Sequence, residues 1–137
     1  KAVYHGECDV VLSNTYYMGK MATNENSPVQ KKWAASANLM FPNQDGRGAH
    51  VNISGAGITK HAKNKAGAMK LIEFLSGAAG QKIYAEGNFE YPVKNGVALH
   101  PMVASWGTFK ADEAYLSKIA EYRSLAAKIM DRVRFND

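Results

Sequence analysis

Cys8 is the only cysteine in the sequence, which excludes an internal disulfide and any thiolate metal cluster. No apolar run is long enough to cross a bilayer, so a membrane-spanning helix is not expected. The sequence opens on Lys1-Ala2-Val3-Tyr4-His5 with no leader and no initiating methionine, and it reads as a mature or truncated chain. The G-x-S-x-G, H-E-x-x-H and C-x-x-C signatures are missing, and no pair of carboxylates can be placed together, so no enzyme is expected. Acidic residues are the scarcer charge, 12 against 17 Lys and Arg, giving a net charge of +5. That balance permits a nucleic-acid surface, but the basic residues are dispersed. The densest group, Lys60, Lys63 and Lys65, has no interleaved aromatics, which reads as a solvated helix face and not a nucleic-acid partner site.

At 137 residues the chain is long enough for about one domain with its own core. Cap and turn signals divide it. Residues 1–5 read as a helix end stopped at Gly6. A brief helix beyond two adjacent tyrosines is expected to break at Gly19. Ser27 and Pro28 then open another helix, with the proline in its first turn and Trp33 as its anchor. Strands are predicted over 38–41, stopped by Pro42, and over 51–53, separated by a polar turn at 43–48. Ser54-Gly55-Ala56-Gly57 reads as a turn needing unusual dihedrals or close contact; without a Lys-Ser/Thr ending it is no nucleotide loop. A long helix is predicted over 64–76, with Ala68, Leu71, Ile72 and Leu75 as its apolar stripe and Gly77 as its stop. Another follows over 79–86. Residues 89–93 read as extended, Asn95-Gly96 as a turn and 106–109 as irregular. The last helix is predicted over 112–134, with Leu116, Ile119, Ala120, Ala127, Met130 and Val133 along a face that Arg123 covers with its methylenes. That face suits a sheet or a coiled coil.

The stretch that organises the rest runs from Cys8 to Lys20. Val10, Val11 and Leu12 form a short apolar run of the kind found in buried parallel strands, with Cys8 beside it as a small buried hydrophobe. Ser13, Asn14 and Thr15 then supply helix caps, and Tyr16 and Tyr17 follow. A strand running into a helix here places both phenols beyond a strand's carboxyl end, where open α/β sheets bind ligands. The helix N-terminus favours an anion at that point, whether phenolate or oxyanion. A phenol ionises near pH ~10, so a metal that binds it must displace the proton. Soft metals prefer thiolate and zinc prefers His or Cys, whereas a hard trivalent cation takes phenolate oxygen. A tyrosine pair with one ring packed and one wet at a sheet rim is the other reading.

Asn14-Thr15-Tyr16-Tyr17, with Gly6-Glu7-Cys8-Asp9 before it and His50-Val51-Asn52-Ile53-Ser54-Gly55-Ala56-Gly57 after it, resembles the periplasmic ferric-iron-binding proteins. These are the substrate-binding components of iron ABC transporters, within the family 1 extracellular solute-binding proteins. The resemblance continues through Lys60-His61-Ala62-Lys63-Asn64-Lys65, Glu73-Phe74-Leu75 and Asn88-Phe89-Glu90-Tyr91-Pro92-Val93, and so covers nearly the whole chain in the family's order.

The resemblance implies an α/β fold of the two-lobed periplasmic binding protein type (type II), of which this chain is a C-terminal fragment crossing the hinge twice. Residues 1–46 would lie in the second lobe, 47–98 in the first, and 99–137 again in the second, with crossings near 46–49 and 97–100. It implies a periplasmic protein carrying Fe(3+) to an inner-membrane ABC permease, completed by a missing N-terminal part. Tyr16 and Tyr17 would be metal ligands, and Asn14 would hold a synergistic anion, phosphate or carbonate. Tyr91 would support the first lobe without touching metal. His5, His50, His61 and His100 match no family ligand and are expected at the surface or hydrogen-bonded. An organic or oxyanion solute is the alternative cargo, since one scaffold serves many ligands. Iron needs both hydroxyls convergent, while an organic ligand would use one as donor and stack on the other. A 64–76 helix fully buried by this chain alone would refute the fragment.

Overall fold

A computed structural model describes residues 1–114 and 116–135. They divide into two compact units, one formed by Lys1–Met40 with Ile53–Thr108, the other by Phe41–Asn52 with the chain from Phe109 onward.

Six helices build the first unit: α1 (Ala2–His5), α2 (Thr15–Ala22), α3 (Pro28–Ala35), α4 (Lys65–Ser76), α5 (Ala78–Asn88) and α6 (Pro101–Ser105). Most begin and end where local chemistry directs. The first stops at Gly6, and α3 starts at Pro28, although the Ser27 side chain makes no cap bond. Asn64 caps α4 by accepting from the Gly67 N–H at 2.8 Å, and Gly77 separates α4 from α5. The sequence reading had no helix at 101–105. His100 Nδ1 accepts from the Met102 N–H at 3.1 Å, and Pro101 sits at the first turn, where its missing N–H costs nothing.

Packing in this unit centres on α2, which lies against α3 and α5, while α4 lies against α5. Gly19 does not break α2. The helix runs through it, and Gly19 is buried because the Phe89 ring lies flush against its Cα; a Cβ there would overlap that ring. Phe89 takes a left-handed conformation (φ 58°) at the end of α5, and its ring meets the His100 ring edge-on at 4.7 Å. Ala34, Ala85 and Val103 are the other buried apolar side chains here. Gln81 ties the ends together, donating to the Leu75 carbonyl at 2.9 Å and accepting from the Val93 N–H at 2.8 Å.

The expected strands at 10–12, 38–41 and 51–53 do not form. Val10 and Leu12 are 72% and 76% exposed, and Cys8 is half-buried. A strand exists only through hydrogen bonds to a neighbour, and no neighbouring strand is present among the described residues. Nor does Ser54-Gly55-Ala56-Gly57 need its glycines: neither has a positive φ, and nothing approaches within 4 Å of where their Cβ atoms would be. The helix predicted over 64–76 is present, but none of its residues is buried.

In the second unit one parallel β-bridge, Ala49 with Ala111, is the only β pairing among the described residues. The Ala49 N–H donates to the Lys110 carbonyl and the Asp112 N–H to the Ala49 carbonyl, each at 2.8 Å. The Gln44 side chain flanks this bridge, accepting from the Lys110 N–H at 2.7 Å and donating to the Lys110 carbonyl at 3.2 Å. Phe41 and Phe109 stack at 4.2 Å, 13° from parallel. The final helix, α7 (Leu116–Arg132), starts later than the predicted 112; residue 115 and the Leu116 side chain lie outside the described residues. Ile119 is half-buried, and every residue from 120 to 135 is exposed, so the predicted apolar face of α7 is left uncovered among the described residues.

Candidate metal centre

The polar junction that enters α2 builds the site. Asn14 is the N-cap, in extended conformation (φ −72°, ψ 141°), so the chain arrives straight and turns helical at Thr15. Its side chain makes no cap bond. Instead the Asn14 Nδ2 donates to the Tyr16 hydroxyl at 3.4 Å, a long contact that keeps the amide beside the phenol.

Adjacent side chains on a helix point about 100° apart, so successive rings ordinarily diverge. Tyr16 and Tyr17 do not: their ring centroids are 4.3 Å apart, with planes tilted by 42°. Tyr16 is half-buried and Tyr17 is 49% exposed. The Tyr16 hydroxyl holds the Tyr17 phenol above its ordinary value of 10, first through hydrogen bonding, then through the charge Tyr16 would carry as a phenolate, with slight burial adding to both. Ionising both phenols thus works against itself unless a cation joins them. Lys20, one turn on, carries its Nζ 5.2 Å from the Tyr16 ring centroid and puts one positive charge beside the pair.

The support for these rings comes from further along α2. Gly19 faces Phe89, Phe89 meets His100, and His100 caps α6, so one continuous contact fixes the rotation of the helix that presents the tyrosines. Sequence reasoning missed this support. The available signal was a glycine inside a helix-forming run, which marks close approach as often as a break.

Other candidates fall elsewhere. Tyr91 is half-buried with its hydroxyl enclosed, and that burial raises its phenol above 10. His5, His50 and His61 are exposed, His5 edge-on to Tyr4, and His100 is hydrogen-bonded. Among the described residues no three His, Cys, Asp or Glu side chains come close enough to hold a metal ion. A groove of ≈ 380 Å³ between α2, α3 and α6 is lined by Met18, Ala22, Ala34, Leu39, Met102 and Trp106 among others; neither tyrosine of the pair lines it. Trp33 is half-buried on α3, its Nε1 enclosed and without an acceptor among the described residues. Also among the described residues, no helix is long and apolar enough to cross a membrane.

Comparison with known proteins gives a consistent result. Residues 9–111 match the family model described as bacterial extracellular solute-binding protein. Iron uptake protein A1 of Synechocystis sp. is 48% identical over 131 residues, which is 96% of this chain and 36% of that protein. Among solved structures, apo ferric ion-binding protein A of Pasteurella haemolytica superposes with a TM-score of 0.87 at 47% identity, over 99% of this chain and 42% of that one. A Trichodesmium protein in complex with iron and citrate ligands gives 0.89 at 43% identity, over 97% of this chain and 42% of that one. The chain therefore spans well under half the length of the proteins it matches.

Proposed function

The chain belongs to the bacterial extracellular solute-binding proteins and carries part of their two-lobed α/β fold, and on that premise we propose that it is a portion of a periplasmic ferric-iron carrier in which Tyr16 and Tyr17 are metal ligands. The observation that carries this reading is the convergence of two phenol rings, 4.3 Å apart, at the first turn of α2. A trivalent cation is hard enough to displace both phenol protons, and once bound it turns the mutual repulsion of two phenolates into shared attraction. Binding releases those protons, so iron loading weakens as pH falls.

Two phenolates leave most of a hard ion's coordination open. The remaining ligands belong, in this proposal, to sequence outside this chain, which covers 36% of its Synechocystis relative. Asn14 holds a synergistic anion, phosphate or carbonate; the relative solved with iron and citrate supports an anion as the iron's companion. Lys20 lends the same support, since a cation beside the phenols repels bare iron and attracts an anionic complex. Delivery to an inner-membrane ABC permease follows from the family. This reading includes a lobe division at 1–46, 47–98 and 99–137, with closure through 46–49 and 97–100. The convergence of the rings favours iron over an organic solute, which would need one tyrosine free to stack.

Spectroscopy of the intact carrier tests this. Ferric loading should produce phenolate-to-iron charge-transfer absorption. Tyr16→Phe and Tyr17→Phe should each weaken iron binding by more than the roughly 10- to 100-fold that loss of an outer partner costs, and the double change should abolish the band. A band that survives the double change sinks the assignment. Repeating the titration with and without phosphate or carbonate addresses Asn14: equal affinities would remove the anion from the proposal.

A further inference from the structure

Two dipeptides in this chain place Asp or Asn immediately before glycine, Asp45-Gly46 and Asn95-Gly96. Such pairs share a reactive route. The glycine nitrogen can attack the preceding side-chain carbonyl and close a five-membered imide, and the missing Cβ leaves that approach unhindered.

The structure treats the two pairs differently. The Gly46 N–H is engaged, donating to the Asn43 carbonyl at 3.0 Å in a turn that Gly48 tightens by donating to the same oxygen at 2.9 Å. At the second pair the turn is closed by the Val97 N–H on the Lys94 carbonyl at 3.4 Å. Gly96 occupies the third position with φ 84°, and Asn95 is outside the left-handed region, which makes this a type II turn. In that geometry the Gly96 N–H takes no part in the turn's own hydrogen bond. Among the described residues, neither this N–H nor the Asn95 side chain has a hydrogen-bond partner. Both residues are exposed, and nothing lies within 4 Å of where a Gly96 Cβ would be.

We propose that Asn95 is a site of spontaneous deamidation in the folded protein, while Asp45 is protected from the equivalent isomerisation by its turn. In the first step the Gly96 nitrogen loses its proton to hydroxide and bonds to Asn95 Cγ. The bond from Cγ to the side-chain nitrogen breaks, and that nitrogen leaves as ammonia after taking up a proton. Water then adds to either imide carbonyl and opens the ring to aspartate or isoaspartate. The balance is one water consumed and one ammonia released, with no oxidation or reduction. The product lowers the formal charge of +5 by one. It also sets a carboxylate beside the groove that Gly96 lines with Lys82, Glu86, Leu99 and Pro101. The isoaspartyl form adds a methylene to the backbone between α5 and α6.

The test is to incubate the full chain at physiological temperature and mildly alkaline pH, once folded and once in urea. Intact mass would be followed, isoaspartate labelled with protein isoaspartyl methyltransferase, and the label located by peptide mapping. The folded chain should gain one dalton with label at residue 95, more slowly than the unfolded chain, because the type II turn holds the Gly96 nitrogen away from Asn95 Cγ and must open before the ring can close. Asn95→Gln should abolish that gain, and label at residue 45 should arise only in urea. An equal gain in the Asn95→Gln variant would overturn the proposal. So would a folded chain in which residue 95 gains no label, or one in which residue 45 is labelled as fast as residue 95.

Discussion

α2 and α7 both present an apolar face along one side, and they meet opposite fates. One face of α2 is closed by its own chain, with the Phe89 ring flat against Gly19. Along α7, Leu125 is 55% exposed and Ile129 48% exposed, with no residue buried from 120 to 135. Periodicity therefore establishes that a face is meant to be covered and is silent on what covers it. The difference also separates two kinds of evidence about function: the helix that carries the tyrosine pair is positioned by contacts within its own unit, whereas the face of α7 is uncovered among the described residues.

Three substitutions would sharpen or break this contrast. The largest effect belongs to Gly19→Ala. In an open helix that change gains about 1 kcal/mol, but here the new Cβ overlaps the Phe89 ring, and a loss of about 2–3 kcal/mol is expected from overpacking. The urea midpoint should fall, and Phe89→Ala in the same chain should return part of the loss. A stabilised Gly19→Ala variant would mean that the seam is not closed. Val103 is fully buried, so Val103→Ala removes two methyl groups from a packed site and should cost about 1.5 kcal/mol in the same measurement. Leu125→Ala on α7 should move stability by less than about 0.5 kcal/mol, as at other exposed positions. If Leu125→Ala cost as much as Val103→Ala, α7 would have a partner within the chain and the contrast would be lost.

What could be read in the sequence was whatever residues settle with their near neighbours. Gly6, Pro28, Asn64, Gly77 and the Asn95-Gly96 turn all act within a few residues, and each marks its boundary as read. The apolar runs at 10–12, 38–41 and 51–53 have strand-like patterns, but a strand is completed by another segment, so pattern alone could not produce one here. Gly19 was misread for the same reason in reverse, since the ring that requires a glycine there comes from residue 89. The helix at 101–105 was missed because histidine is an uncommon cap, although Pro101 offered a local sign. At the candidate site, the order Asn14, Tyr16, Tyr17 was visible. The near-contact of the two rings and the turn of the Asn14 amide toward a phenol depend on side-chain rotation and were not.

The Gln44 side chain, noted beside the Ala49 and Ala111 bridge, does more than add two hydrogen bonds. In a parallel ladder continued backward from Ala49, the Lys110 N–H would be received by the carbonyl of residue 47. The chain is turning at 44–47 and cannot offer it there. A primary amide is a peptide group detached from the backbone, and Gln44 supplies that carbonyl in its place, donating to Lys110 with its nitrogen at the same time. Such a substitute extends the pairing by a single rung. It has no following residue and no outward-facing carbonyl on its far side, so nothing further can be added in register. The bridge thus ends in a chemical stop, and the Lys110 backbone groups that Gln44 occupies are closed to a foreign strand without any lengthening of the sheet.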